Sequence, residues 1–295
     1  MSTVRRESLA MRLAHRCSLD ALSWSLRRLH VPVPADALVL EVGSGGNPYF
    51  RSNVLLDAYA ETRERHWEPL ITDRPTVLGF VEKLPFRDKA FDFVIASHVL
   101  EHSRDPEAFL RELQRVARAG YIEVPDAFME RINPYLDHRL EITVREGRLV
   151  IRKKSAHQAD SELVELYEHK ANAVIAGETM RRHPFHFHVR YYWEDTIDFE
   201  VLNPEVDINW PVPVSERIGI APGLVAGLKK RILELVRALF SQNRRNRNIR
   251  LAELMQCSCC GRAELQWDEA EVACPGCDAR FPIVAGVPDM SCHEG

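Results

Sequence analysis

Between Leu9 and Leu29, apolar residues recur at helical spacing: Leu9, Leu13, Cys17, Leu22, Leu26 and Leu29, with arginines over much of the other side. That period predicts an amphipathic helix that caps a larger domain through its apolar stripe. At Ala37 the pattern changes to short, continuous apolar runs stopped by glycine, proline or an acid. Residues 37–42, 53–56, 77–80, 91–96 and 121–124 read as strands. Residues 106–118 read as a helix, with Phe109, Leu110, Leu113 and Val116 at helical spacing. Strands alternating with helices imply an α/β fold, a parallel sheet covered on both faces. Between Gly43 and Asp57 there is too little chain for a full crossover helix and a strand, so that connection is expected to shrink to a turn or two after Pro48.

Beyond the fifth strand the pattern predicts a hairpin over 140–154 turning at Glu146-Gly147, a helix over 161–177 and strand-like stretches in 190–202. A proline-rich loop over 204–222, an amphipathic helix over 224–240 and a basic linker over 244–248 follow. The expected organisation is a helical cap (1–35), a ligand-binding core (36–140), an α+β insert shaping an acceptor pocket (141–243) and a small C-terminal metal module (251–292).

The chain has 295 residues, 45% hydrophobic and 28% charged, enough for a substantial core. A net charge of −4 disfavours a dedicated nucleic-acid binder. No apolar run reaches the roughly 18 to 20 residues of a membrane span, and no signal-peptide pattern opens the chain, so the expectation is a cytoplasmic protein. Five of seven cysteines fall between Cys257 and Cys277, which in that compartment points to metal ligation rather than a disulfide framework.

In open α/β sheets the ligand sits beyond the carboxyl ends of the strands, and the motifs fall there. Gly43-Ser44-Gly45-Gly46 follows the first strand, allowing close backbone approach. Asp57 ends the second, placed to accept hydrogen bonds from two ribose hydroxyls. A nicotinamide enzyme would favour a third glycine where Pro48 stands. Read together, residues 41–48, Asp57, 84–92 (LPFRDKAFD) and 97–102 (SHVLEH) resemble the class I methyltransferases, and most closely their type 11 branch. The resemblance spans about 36–126 and implies a Rossmann-like sheet that binds S-adenosyl-L-methionine. It implies that Glu41, Gly43, Ser44 and Gly45 line the methionine part, Asp57 takes the ribose, Val81 and Glu82 lie near the adenine, and Ser97 and His98 sit beneath the methyl group. Many members carry an acid where this chain has Phe80.

For an acceptor that must lose a proton, imidazole suits the general base. His98 is the first candidate by position, followed by His102 and His138, with Glu101, Glu123 and Asp126 as neighbouring carboxylates. Glu101 and His102 read equally well as caps of a strand–helix junction. His183, His186 and His188 can be read as metal ligands, the latter two sharing one face of a strand, but they fit better as a wall facing substrate.

Cys257-x2-Cys260 and Cys274-x2-Cys277 offer four thiolates, which suits a tetrahedral structural zinc with no open position. Cys259 breaks the spacing and is the spare. Residues 251–290 resemble the small zinc-ribbon activators of tRNA and protein methyltransferases, which implies a stabilising module packed on the catalytic domain. Three functions stay open: methyl transfer to a small-molecule, glycan or natural-product acceptor, favoured by the acidic balance; RNA or protein methylation, suggested by the ribbon and the basic stretch 229–250; or a non-catalytic scaffold. Oligomeric state is not legible.

Overall fold

Short, wholly apolar strands bury on both faces and belong at the centre of a parallel sheet. The computed structural model of the chain describes residues 6–62, 65, 67–211, 235–237 and 239–292. Its central sheet is built from β1 (Val39–Val42), β2 (Val54–Asp57), β3 (Thr76–Leu78), β4 (Phe91–Ser97), β5 (Ala117–Pro125) and β8 (His188–Glu194). The spatial order is β3-β2-β1-β4-β5-β8, parallel except for β8, which runs against β5. The order reverses direction between β1 and β4, the switch point at which open α/β sheets bind ligands.

Alternation along the strands separates two faces. Leu40, Val42, Val94, Ala96, Ile122 and Val124 share a core with Phe109, Leu110 and Leu113 of α3 (Pro106–Val116). Asp105 caps that helix, accepting from the Ala108 N–H at 2.9 Å, with Pro106 in the first turn. On the opposite face Val39, Phe93, Ile95 and Tyr121 pack with Val31 and Tyr49. Between β1 and β2 there are only turns, as the short spacing requires.

The N-terminal stripe is not the buried face. Ser18 takes a positive φ of 57° and splits the segment into α1 (Leu9–Arg16) and α2 (Asp20–Leu26). Leu9, Leu13 and Leu22 stay about half exposed or more, whereas Met11, Ala14, Ser23 and Arg27 are buried. The break rotates the second helix against the first, so one stripe cannot serve both.

After β5 come α4 (Ala127–Ile132) and the hairpin of β6 (Leu140–Arg145) and β7 (Arg148–Lys153), joined by β9 (Phe199–Val201). Glu146 and Gly147 turn the hairpin with φ of 52° and 84°, the left-handed pair that a two-residue turn demands. Residues 161–182 are helical, with two wide π turns at Tyr167–Ala171 and Ile175–Thr179. His183-Pro184-Phe185-His186 departs from expectation: Pro184–His186 is a 3-10 turn and β8 begins only at His188, so His186 and His188 do not share a strand face.

The loop 204–222 is described only as far as residue 211, and of the helix 224–240 only 235–237 and 239–240, which are helical. The expected linker at 244–248 is docked. A helical turn, Asn243–Asn246, buries Asn246, whose side-chain oxygen accepts from Asn53 Nδ2 at 2.8 Å. Arg245 donates to the carbonyls of Ala35 and Ala37 at 3.0 and 2.8 Å.

The C-terminal module is a four-stranded antiparallel sheet: β10 (Gln266–Trp267), β11 (Glu271–Ala273), β12 (Arg280–Val284) and β13 (Val287–Pro288). It seats on the β3 edge of the main sheet. Met290 N–H donates to the Leu78 carbonyl at 2.8 Å, Gln256 N–H to Pro85 at 3.1 Å, and Arg87 Nε to Met255 at 3.0 Å. Met255 and Phe86 are fully buried at this seam and belong to one continuous core. Because that core is shared, Met255→Ala should cost about 2–5 kcal/mol and shift one common transition in chemical denaturation. Two separable transitions, with only the smaller one moved, would contradict the shared core.

Candidate functional site

The carboxyl ends of β1, β2, β4 and β5 converge at the switch point. Gly43 and Gly45 both take left-handed backbone angles, φ 63° and 58°, which side-chain-bearing residues adopt only at a cost. Space enforces the same choice at residue 43, where a Cβ would stand 2.1 Å from Val99 Cγ2. Asp57, buried at the end of β2, accepts the Gly45 N–H at 2.9 Å and the Tyr59 N–H at 3.2 Å. Its carboxylate thus faces the glycine loop, as expected. It also pairs with Arg65, whose Nη1 lies 3.1 Å from Oδ1. The segment carrying Arg65 and Glu68 crosses the loop, and Ile71 N–H donates to the Gly45 carbonyl at 3.1 Å.

Glu41 is tied to the turn behind the loop. Its buried carboxylate accepts the Tyr49 N–H at 2.8 Å and the Ser52 hydroxyl at 2.5 Å, so it props the turn after the loop from behind. Burial raises its pKa. Ser44 donates its backbone N–H to the Leu56 carbonyl at 3.1 Å, and its buried hydroxyl has no partner among the described residues. Val81 is buried, and Glu82 accepts the Ser103 hydroxyl at 2.6 Å. Phe80 meets Tyr59 edge to face at 5.7 Å.

On the β4–β5 side, Glu123 is a fully buried charge. Arg27 from the N-terminal segment clamps it with two hydrogen bonds of 2.7 Å, the Tyr121 hydroxyl donates to it, and the Ser97 hydroxyl donates at 3.2 Å. Burial opposes its ionisation, but Arg27 and His98 overturn that and hold it well below the ordinary value of 4.5. Arg27 in turn lies on the Trp24 ring at 3.6 Å.

His98 adopts a strained φ of 58°, its N–H donating to the Glu123 carbonyl at 2.7 Å. Its Nδ1 stands 3.5 Å from Glu101 and its Nε2 3.6 Å from Glu123. Its side chain is 44% exposed, and the two neighbouring carboxylates raise its pKa to about 9. The expected general base therefore holds a proton at neutral pH in this arrangement. His188 packs edge-on against it at 5.5 Å and also against Trp24 at 4.6 Å. His183 pairs with Asp20, and no metal cluster of residues 183–188 occurs among the described residues.

His102 and His138, 36 residues apart in sequence, meet edge to face at 4.8 Å beside Glu101. No periodicity or short-range motif could have paired them. Arg27, Trp24 and Arg65 were likewise missed, because each reaches the site from a segment that reads as ordinary surface.

In the ribbon, Cys257, Cys260, Cys274 and Cys277 form one cluster, with sulfur pairs 3.6 and 3.5 Å apart. Thiolates at about 2.3 Å from zinc stand about 3.8 Å from one another, so the donor set and its size fit that ion. Cys259, the spare, is bonded to Cys292 in a disulfide, which leaves the four clustered cysteines as the ligand set.

A sequence profile described as a methyltransferase domain matches residues 40–122, which hold the glycine loop, Asp57 and the His98–His102 turn. Over these residues the chain is similar to a methyltransferase domain. The chain is 32% identical over 105 residues to a ubiquinone/menaquinone biosynthesis C-methyltransferase of Xanthomonas oryzae, covering 32% of this chain and 42% of the relative. It is 49% identical over 43 residues to the ajmaline N-methyltransferase of Rauvolfia serpentina, 15% of either chain. The chain spans less than half the length of these relatives. A chain from the complex of the Haloferax volcanii Trm112 methyltransferase activator with a methyltransferase overlays with a TM-score of 0.35 at 14% identity, over 63% of this chain and 97% of that one. Among the described residues, no helix is long and apolar enough to cross a membrane.

The domain's rear wall rests on one buried ion pair. Arg27→Met should cost about 3–5 kcal/mol at neutral pH, the usual penalty for orphaning a buried charge. Because the folded-state pKa of Glu123 is depressed, the pair's contribution is complete above 4.5 and fades as pH falls through the folded value. Denaturant titrations should show the wild-type advantage shrinking in acid; an advantage independent of pH would contradict the assignment.

Proposed function

We propose that the chain transfers a methyl group from S-adenosylmethionine to a small-molecule or glycan acceptor bound between the β4–β5 strand ends and the wall of residues 127–211. The observation that carries this reading is the Asp57 carboxylate, fixed on the Gly45 amide at the switch point of a sheet whose core matches a methyltransferase domain. The cofactor supplies an already activated methyl group, so this chain's own task is orientation and exclusion of water. The left-handed glycine backbone admits the ligand closely, Asp57 accepts from the ribose hydroxyls, and Val81 and Glu82 flank the base.

Arg65 sets a condition on that binding. Its guanidinium already engages Asp57, so a ribose diol must displace it or share the carboxylate. Trp24, His188 and His98 form the apolar and cationic side of the acceptor space. Glu123, held by Arg27 and donating groups, positions His98 and Ser97 there. The four ribbon cysteines would hold a structural zinc.

Calorimetry with S-adenosylmethionine tests the reading. Saturable binding is expected, weakened about 10- to 100-fold in Asp57→Ala, the worth of hydrogen bonds to a charged group. Arg65→Ala should bind more tightly than wild type, since it removes the competing cation. No binding of the cofactor at millimolar concentration would overturn the proposal.

A further inference from the structure

The turn after β4 and the segment before β6 create a second constellation. Glu101 is 2% exposed, and neither carboxylate oxygen accepts a hydrogen bond from any described residue. Its ion-pair neighbour is His98, whose Nδ1 stands 3.5 Å from one oxygen, which leaves the carboxylate acceptor capacity to spare. What surrounds it is imidazole: the donor atoms of Glu101, His102 and His138 all lie within 4.8 Å of one another.

Each imidazole has an acceptor at one ring nitrogen. His138 Nδ1 lies 2.8 Å from Glu130 Oε2, and His102 Nδ1 lies 3.3 Å from the Asp137 carbonyl. A carboxylate and a carbonyl only accept, so in each neutral ring Nδ1 carries the proton and Nε2 keeps its lone pair. Glu130 is itself buried, anchored by Lys154 Nζ at 2.6 Å, and Tyr135 stacks on His138 with centroids 4.7 Å apart. An acceptor behind each ligating histidine, fixing tautomer and ring plane, is the usual support of a metal-bound imidazole.

We propose that Glu101, His102 and His138 form a binding site for a divalent first-row transition-metal cation, separate from the four-cysteine cluster. Two imidazoles and one carboxylate suit such an ion better than Ca2+ or Mg2+, which take oxygen ligands. Bonds of about 2.0–2.2 Å bring donor atoms to about 3–3.5 Å apart, a contraction that side-chain torsions supply. Three protein ligands leave coordination positions for water or for an oxygen-bearing acceptor. This last step rests on the methyl-transfer reading; the ion site itself does not.

The test is a titration of the full-length, zinc-loaded chain with Mn2+, which zinc-filled thiolates exclude, followed by electron paramagnetic resonance without S-adenosylmethionine. One saturable Mn2+ per chain is expected, with nitrogen hyperfine coupling from directly bound imidazole. His102→Ala and His138→Ala should lose that coupling, while Glu130→Gln keeps the ligands and weakens binding about 10- to 100-fold. Far-UV circular dichroism reports whether each variant folds, and the wild-type nitrogen coupling stands as a test even if none does. Absence of saturable Mn2+ binding to the wild-type chain, or bound Mn2+ without nitrogen coupling, overturns the proposal. Cofactor calorimetry fails or succeeds independently, so the two readings are distinguishable.

Discussion

A carboxylate with no solvent exposure sits at the centre of this molecule, and much of the architecture around the site follows from having to keep it charged. Glu123 stands on β5, flanked by strands on both sides, where an unpaired ion would cost several kcal/mol. The cation that answers it, Arg27, comes from the N-terminal segment, 96 residues away in sequence. That requirement pulls the segment across the sheet. It also brings Trp24 over the guanidinium, and Trp24 in turn receives Phe185 and His188. The cap and the histidine-rich segment are therefore assembled around one ion pair rather than around an apolar stripe. This explains why the leucines of α1 and α2 can remain exposed without the segment detaching.

The parts of the fold legible in sequence are those governed by local pattern. Buried parallel strands are predominantly apolar, so β1, β2, β4 and β5 announce themselves, and the Glu146-Gly147 turn does so through its left-handed demand. The places of Asp57 and the glycines at the strand ends were legible because the strand pattern supplies them. The four ribbon cysteines were legible by spacing. What failed were inferences about which face of an element is buried and about pairs distant in the chain. The stripe at Leu9, Leu13 and Leu22 has a sound helical period, but a period does not say what lies opposite. Arg245 and Asn246 read as solvated because polarity marks surface on average, whereas here they satisfy carbonyls and amides at the base of the sheet. Glu41 also holds a turn, a contact the pattern did not show, because buried backbone N–H groups must be satisfied by something.

The ribbon's position has a physical rationale of its own. β3 is a three-residue edge strand, and an unpaired edge invites association with other chains. Leu78 is bridged to Asp289 and its carbonyl accepts the Met290 N–H, so the module occupies that edge. The buried Met255 against Phe86 adds the apolar contact that makes the cover part of the core. The four-cysteine cluster belongs to the module that covers this edge, the edge farthest in the sheet from β5 and β8.

The two halves of the switch point divide the chemistry by charge. The β1–β2 half offers backbone N–H groups and one carboxylate, features suited to a neutral diol and a nucleoside. The β4–β5 half gathers His98, Glu101 and Glu123, with His102 and His138 beyond them. They meet where Gly43 touches Val99, so closely that a single added carbon at residue 43 would overlap the valine. No side chain intervenes at that contact. Anything bound on the glycine side thus lies one van der Waals layer from the turn that carries Glu101 and His102, and a change that moves Val99 moves both halves. Arg65 and His98 are then corresponding features of the two halves, each a cation set against a buried carboxylate: Arg65 lies 3.1 Å from Asp57 and His98 3.5 Å from Glu101.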